Sequence, residues 1–372
     1  MPTRSISQPA GRRTRRRYAI LLLVVVAAAA GWTALWKYAA GRAAEESAKW
    51  RASEAAAGRV FTCGDEGVAG YPFRIEVTCR QARAEFRDFQ PALTVTLPRV
   101  LTAAQIYQPN LLISEFDGPM RGGATGSPAE FEANWSVGQA SVSGLLSTPD
   151  RVSLVFDSPK GVRLADGRPQ EVFAARHLEL HGRPTREGKP GIEAGIRLEQ
   201  AVFPLWAATA AQPIDGVIDA VLHGITDFAP KPLPVRLREL QAAGGGIEIK
   251  QARLVQGDVL AVGGGALSFN AAGRLDGQLR VTIAGLEAFL EHIGAKQMVQ
   301  SSSTMDKFAG ALDRLAPGLG SMARQQVSEN IGTGIKALGE QTTLEGRKAV
   351  SLPLRFEDGA VSLGPIPLGR IQ

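Results

Sequence analysis

Two cysteines and four histidines are the residues of this chain best suited to redox or metal chemistry. Cys63 and Cys79 frame the stretch CGDEGVAGYPFRIEVTC, in which GDEGVAGYP reads as a glycine-rich turn. That spacing is too wide for the C-x-x-C pair of a thiol oxidoreductase. A structural zinc site wants four ligands, and none of His177, His181, His223 and His292 stands near either cysteine. His177 and His181 lie four residues apart in ARHLELHG. On a helix that spacing could share a metal, but the local alternation reads as strand, so both are assigned to the surface. The glycine clusters at Gly244–Gly246 and Gly263–Gly265 sit between alternating segments and read as turns or bulges. No G-x-S-x-G, H-E-x-x-H, Walker loop or dinucleotide fingerprint occurs. The sequence therefore offers no catalytic, metal-binding or cofactor-binding residues, and an enzyme is not expected.

What remains for the cysteines depends on the compartment, which the first forty residues address. Arg12, Arg13, Arg15, Arg16 and Arg17 precede an uncharged apolar run from Tyr18 to Trp36. As a helix the run spans roughly 28 Å, about one hydrocarbon core. Tyr18, Trp32 and Trp36 stand near its ends, where aromatic rings favour the membrane interface. Flanking arginines stay cytoplasmic. The reading is a single-pass anchor in a bacterial inner membrane with the bulk of the chain periplasmic; cleavage as a signal peptide is the alternative. In an oxidising periplasm Cys63 and Cys79 are expected to form a structural disulfide.

Charge follows the same partition. The chain has 42 basic and 36 acidic residues, a net of +6. Arg4 and the five arginines above account for that excess, so the remainder is neutral. The basic balance belongs to a topogenic tail, and no nucleic-acid partner is implied.

The elements that position these residues are legible from periodicity. Residues 1–17 are the basic cytoplasmic tail, 18–36 the anchor, and 37–58 an Ala/Glu/Lys-rich helical stalk that lifts the domain off the membrane. From 59 to 372 the period becomes two. Examples are Phe73, Ile75, Val77 and Cys79; Leu93, Val95 and Leu97; Val152, Leu154 and Phe156; and Ile192, Ala194, Ile196 and Leu198. Such alternation marks antiparallel strands with one dry and one wet face. Asp-Gly pairs at Asp117, Asp166, Asp276 and Asp358 supply turn signals. Residues 285–340 carry helical spacing instead: Leu286, Phe289, Leu290 and Ile293, then Phe308, Leu312 and Leu315, with a cap at Ser303 or Thr304. The expected fold is mainly β with helices (α+β). An N-terminal transmembrane helix is followed by a large antiparallel one-sided sheet or sandwich covered by C-terminal helices.

Three stretches carry a family resemblance: GYPFRIEVTC, GGGALSFNAAGRLDGQLRVTIAGLEAFL and LPLRFEDGAVSLGPIPLG. Together they resemble a bacterial, mostly alphaproteobacterial, domain-of-unknown-function family, number 2125. The second and third also resemble AsmA-like envelope proteins, whose association with phospholipid transport implies an apolar groove. Neither resemblance brings functional residues with it. Two functions are expected on this reading. One is binding or transfer of lipid or another hydrophobic ligand in an apolar groove formed by Leu275, Leu279, Val281, Ile283, Leu352, Leu354 and Phe356. The other is a structural or protein-interaction role in the envelope. The partners expected are the inner membrane, lipid and envelope proteins.

Overall fold

The computed structural model describes residues 11–144, 149–165, 168–204, 212–292, 339–363 and 366–370. Helix α1 (Gly11–Ala56) runs unbroken through the apolar run and the Ala-rich segment after it. It is the one described helix long and apolar enough to cross a membrane. Good helix formers sustain its second half, with Arg42 paired to Glu45 and Glu46 at 2.9 and 3.0 Å. Water and salt screen these exposed pairs, so they contribute little to stability. Gly58 adopts φ +79° and stops the helix, a conformation that favours glycine.

Strands follow in hairpin succession. They are β1 (Arg59–Thr62), β2 (Asp65–Ala69), β3 (Arg74–Phe86), β4 (Leu93–Gln105), β5 (Gln108–Asp117), β6 (Met120–Ala124) and β7 (Phe131–Asn134). Next come β8 (Val137–Ser143), β9 (Arg151–Asp157), β10 (Lys160–Ala165), β11 (Arg168–Ala174), β12 (His177–Pro184), β13 (Gly191–Ala201) and β14 (Ile214–His223). After helix α2 (Leu233–Ala242) stand β15 (Gly246–Gln256), β16 (Val259–Phe269) and β17 (Leu275–Ala284). Helix α3 (Leu286–His292), β18 (Glu340–Leu344), β19 (Arg347–Glu357), β20 (Ala360–Leu363) and β21 (Ile366–Arg370) complete the described elements.

Every pairing is antiparallel, as hairpin connections allow. Twelve strands form one spine, in the order β3-β4-β5-β8-β9-β12-β13-β14-β15-β16-β17-β19. At about 4.8 Å per strand it is on the order of 50 Å across. Strand β4 forks: its first half pairs β6, which leads to the branch β7-β10-β11, while its second half pairs β5. β1 and β2 share the outer edge of β3, and β18 and β20 share the outer edge of β19. The sheet is open, since these two edges do not pair with each other.

The buried core lies at the C-terminal end. Val259, Ile283, Leu286, Leu290, Val350, Leu352 and Leu363 form its largest cluster, with α3 laid over β17 and β19. Leu267, Leu279 and Phe356 form a second cluster nearby.

The segment after the anchor does not stand clear of the domain as a stalk. It packs along β1 and β2, with Trp50 stacked on Phe61 at 4.9 Å and Arg51 bonded to Glu66 at 2.8 Å. The segment after Cys63 is not all turn. Asp65–Ala69 pairs with β3 as β2, leaving the turn to Gly70–Phe73, because the long β3 has free edge groups to satisfy. Asp276-Gly277 is not a turn but lies inside β17. A Cβ at Gly277 would meet the Ala266 carbonyl oxygen at 2.4 Å, so glycine there serves close strand approach. Of the helical region, α3 is observed, and the helices expected around Phe308, Leu312 and Leu315 with their cap lie outside the described residues.

Candidate functional site: one apolar face across the sheet

Strand register alone places the residues of this site. Two parallel rows of side chains run across the whole spine on one face. In the first, Ile75, Ala104, Leu112, Val142, Val152 and Gly182 stand opposite one another in turn. The row continues through Ala194, Ala220, Ile249, Gly265, Leu279 and Leu354. No polar side chain interrupts it. The second row runs Val77, Thr102, Ser114, Ala140, Leu154, Leu180, then Ile196, Ile218, Ala252, Gly263, Val281 and Leu352. Its two hydroxyls are satisfied by each other, Thr102 to Ser114 at 2.9 Å. β-Bulges between Asp219 and Ala220 and between Ile249 and Ala252 keep the apolar set on this side where a simple slip would have turned it outward.

Among the described residues the face is not uniformly covered. Its fully buried clusters all come from β16, β17, α3, β19 and β20, while Leu260, Ala284 and Ala349 form a small buried cluster on the opposite face. Along β8 to β14 the rows are half-buried, including Leu154, Leu180, Ile196 and Ile218. Their floor is low, built from Gly138, Ala140, Gly182, Ala194 and Ala220. Two aromatic rings lie on it where glycine leaves room. A Cβ at Gly138 would meet Trp135 Nε1 at 2.3 Å, and one at Gly182 would meet the Phe228 ring at 2.7 Å. Trp135 is fixed by donating to the Phe116 carbonyl at 2.7 Å. Phe228 comes from the segment before α2. There Asp227 accepts bonds from Arg236 and Lys231 at 2.7 and 3.0 Å. The Arg236 guanidinium, with Lys231, holds the Asp227 carboxyl well below the usual carboxylate range.

Between α1 and the first strands the face deepens into a cavity of about 360 Å³. Trp50, Phe61, Val77, Cys79, Leu97 and Phe116 line it. That volume falls within the range of small-molecule sites.

The seven residues named from sequence all lie on this face. Leu279, Val281 and Ile283 of β17 stand directly opposite Leu354, Leu352 and Val350 of β19. Phe356 faces Gly277, and Leu275 packs against the Leu279 cluster. They mark its closed end: Ile283 and Leu352 are each 1% exposed beneath α3. None of the seven lies on the half-buried stretch from β8 to β14. The alternation of Val152, Leu154 and Phe156 showed the strand, but nothing local showed that β9 pairs with β12 across a two-strand detour.

Cys63 and Cys79 are bonded, with Cα atoms 5.3 Å apart. The bridge spans the break between β1 and β2 and ties it to β3. His177 and His181 sit on β12, on the polar side of the sheet. His177 bonds Glu179 at 2.9 Å and Asp157 at 2.6 Å, and His181 bonds Ser153 at 2.9 Å. No group of three metal-ligating side chains occurs among the described residues. Bonding to Glu179, then to Asp157, raises the His177 pKa against the opposing effect of burial. A raised folded-state value stabilises the protein fully below the unfolded value of about 6.5 and is lost as pH climbs through the folded value. The melting-temperature gap between wild type and His177→Gln should therefore narrow as pH rises from roughly 6 to 9. A gap that widens would refute the assignment.

No curated protein matches this chain. The stretch that builds the apolar face is also the stretch shared with other sequences: residues 36–372 match the family described as an uncharacterized protein conserved in bacteria (DUF2125), and the chain belongs to that family.

Proposed function

We propose that the chain is a membrane-anchored periplasmic module of the bacterial envelope that binds or transfers lipid, or a ligand of similar hydrophobicity, along the apolar face. The observation that carries this reading is the pair of rows, apolar but for the mutually bonded Thr102 and Ser114, that runs across twelve strands while staying half-buried over the middle of the sheet. A contiguous apolar surface of that kind on a soluble domain marks a binding site. Burying each CH₂ on it contributes about 0.8 kcal/mol, so an acyl chain would be held firmly. The arginines before Tyr18 support the orientation, and the disulfide suits an oxidising compartment. The likeness to AsmA-like envelope proteins adds a fold-level analogy only. The second reading, a structural or interaction protein without ligand, draws on the sealed core around Leu352.

Photocrosslinking in cells tests the choice. Benzoylphenylalanine at Ile196, on the apolar face, should give adducts with phosphorus-labelled phospholipid. The same group at Arg197, on the opposite face, should give none. Equal labelling, or none at Ile196, would favour the structural reading.

A further inference from the structure

The turn between β2 and β3 is bound to α1 at the end of the apolar run. Trp32 Nε1 donates to the Pro72 carbonyl at 2.8 Å, and Trp36 Nε1 donates to the Arg74 carbonyl at 2.8 Å. Tyr71 stacks edge-on against Trp36 at 5.6 Å, and its hydroxyl bonds Thr33 at 2.9 Å. Trp32 lies four residues before Trp36, the last residue of the uncharged run. At 1.5 Å per residue the bonded turn therefore spans about the last 6 Å of that run. The next hairpin is level with it, since Ile106 N–H donates to the Phe73 carbonyl at 3.1 Å. Yet the rings at these two tips stay more than half exposed: Tyr71 is 54%, Phe73 63% and Tyr107 70% exposed. Three exposed aromatics have no reason to cluster in water. They suit the headgroup boundary, where aromatic rings concentrate.

We infer that Tyr71, Phe73 and Tyr107 insert into the bilayer surface that holds α1, docking the strand ends of the apolar face on the membrane. This rests on α1 crossing the membrane, as proposed above. The occupant is the bilayer because the tips bond to residues of the apolar run itself. The nearest apolar-row residues, Ile75 and Ala104, lie within three residues of Phe73 and Tyr107, so the face would open where acyl chains are available.

Single-cysteine probes decide it. The chain has no free thiol, because Cys63 and Cys79 are bonded. A fluorophore would be placed at Leu23→Cys, Phe73→Cys, Tyr107→Cys or Ser127→Cys. Ser127 is exposed beyond the far end of β4. Each full-length variant goes into phosphatidylethanolamine–phosphatidylglycerol vesicles with nitroxides near the headgroup or near the acyl-chain end. Phe73 and Tyr107 should be quenched several-fold more than Ser127, and best by the headgroup-proximal nitroxide. Leu23 should be quenched by the chain-end nitroxide. If Phe73 and Tyr107 behave like Ser127 while Leu23 is quenched, docking is wrong and the anchor stands. If Leu23 escapes both nitroxides, the anchor reading fails and docking fails with it.

Discussion

Leu352→Asp should yield no folded protein, whereas Ile196→Asp should fold and lose its lipid adducts. Both residues lie in the same row of the same face, so hydrophobicity alone does not separate them. Leu352 is 1% exposed, enclosed by Val259, Ile283, Leu286, Leu290 and Leu363. Truncation to alanine there should cost about 2–5 kcal/mol. An unpaired carboxylate has no route to water and costs more, against a typical net stability of about 5–15 kcal/mol. Ile196 is half-buried, flanked by Leu180 and Ile218, so a substituent there keeps partial access to solvent. Circular dichroism and thermal melts read folding, and photocrosslinking from a neighbouring benzoylphenylalanine at Leu154 reads occupancy. If Ile196→Asp also unfolds, the face is core throughout and the structural reading prevails. If it folds and keeps its adducts, the trough is not the lipid path.

Replacing both cysteines by serine should lower stability by about 3 kcal/mol. The bridge closes a loop of sequence separation 16, and cross-linking a loop near that length removes roughly that much unfolded-state entropy. It also holds the one place where the edge partner of β3 changes from β2 to β1. A melting shift of roughly 5–10 °C is expected. Wild type in reductant should fall to the same melting temperature, and photoadducts at Ile196 should persist. No shift would mean that the β2–β3 hairpin is already fixed by pairing and by its contacts with α1. Loss of the adducts in an otherwise folded variant would place the bridge in the binding site rather than beneath it.

Local patterns determined much of this protein. The apolar run after the arginines dictated a long helix, because nineteen uncharged residues without proline leave the backbone no better way to satisfy itself. Alternation such as Leu279, Val281, Ile283 dictated strands with one dry face, because side chains alternate across a strand with period two. Cys63 and Cys79 were legible as a pair, since no other cysteine competes. Leu279 and Leu354 could be assigned a shared face only on condition that their strands pair.

The tertiary structure decided which rows join. Strand order is set by contacts far apart in sequence, and the fork at β4 sends β6, β7, β10 and β11 aside so that β5 meets β8 and β9 meets β12. No residue near Leu154 announces that Leu180 will lie beside it. Burial was likewise invisible: Leu352 and Ile196 read alike as apolar positions in alternating strands, yet among the described residues α3 buries the first while the second stays half-buried. The turn at Tyr71 and Phe73 read as a glycine-rich connection. Only the folding of β2 back along α1 brings it to Trp32 and Trp36, because the helix and the hairpin must run side by side for β1 and β2 to share the edge of β3.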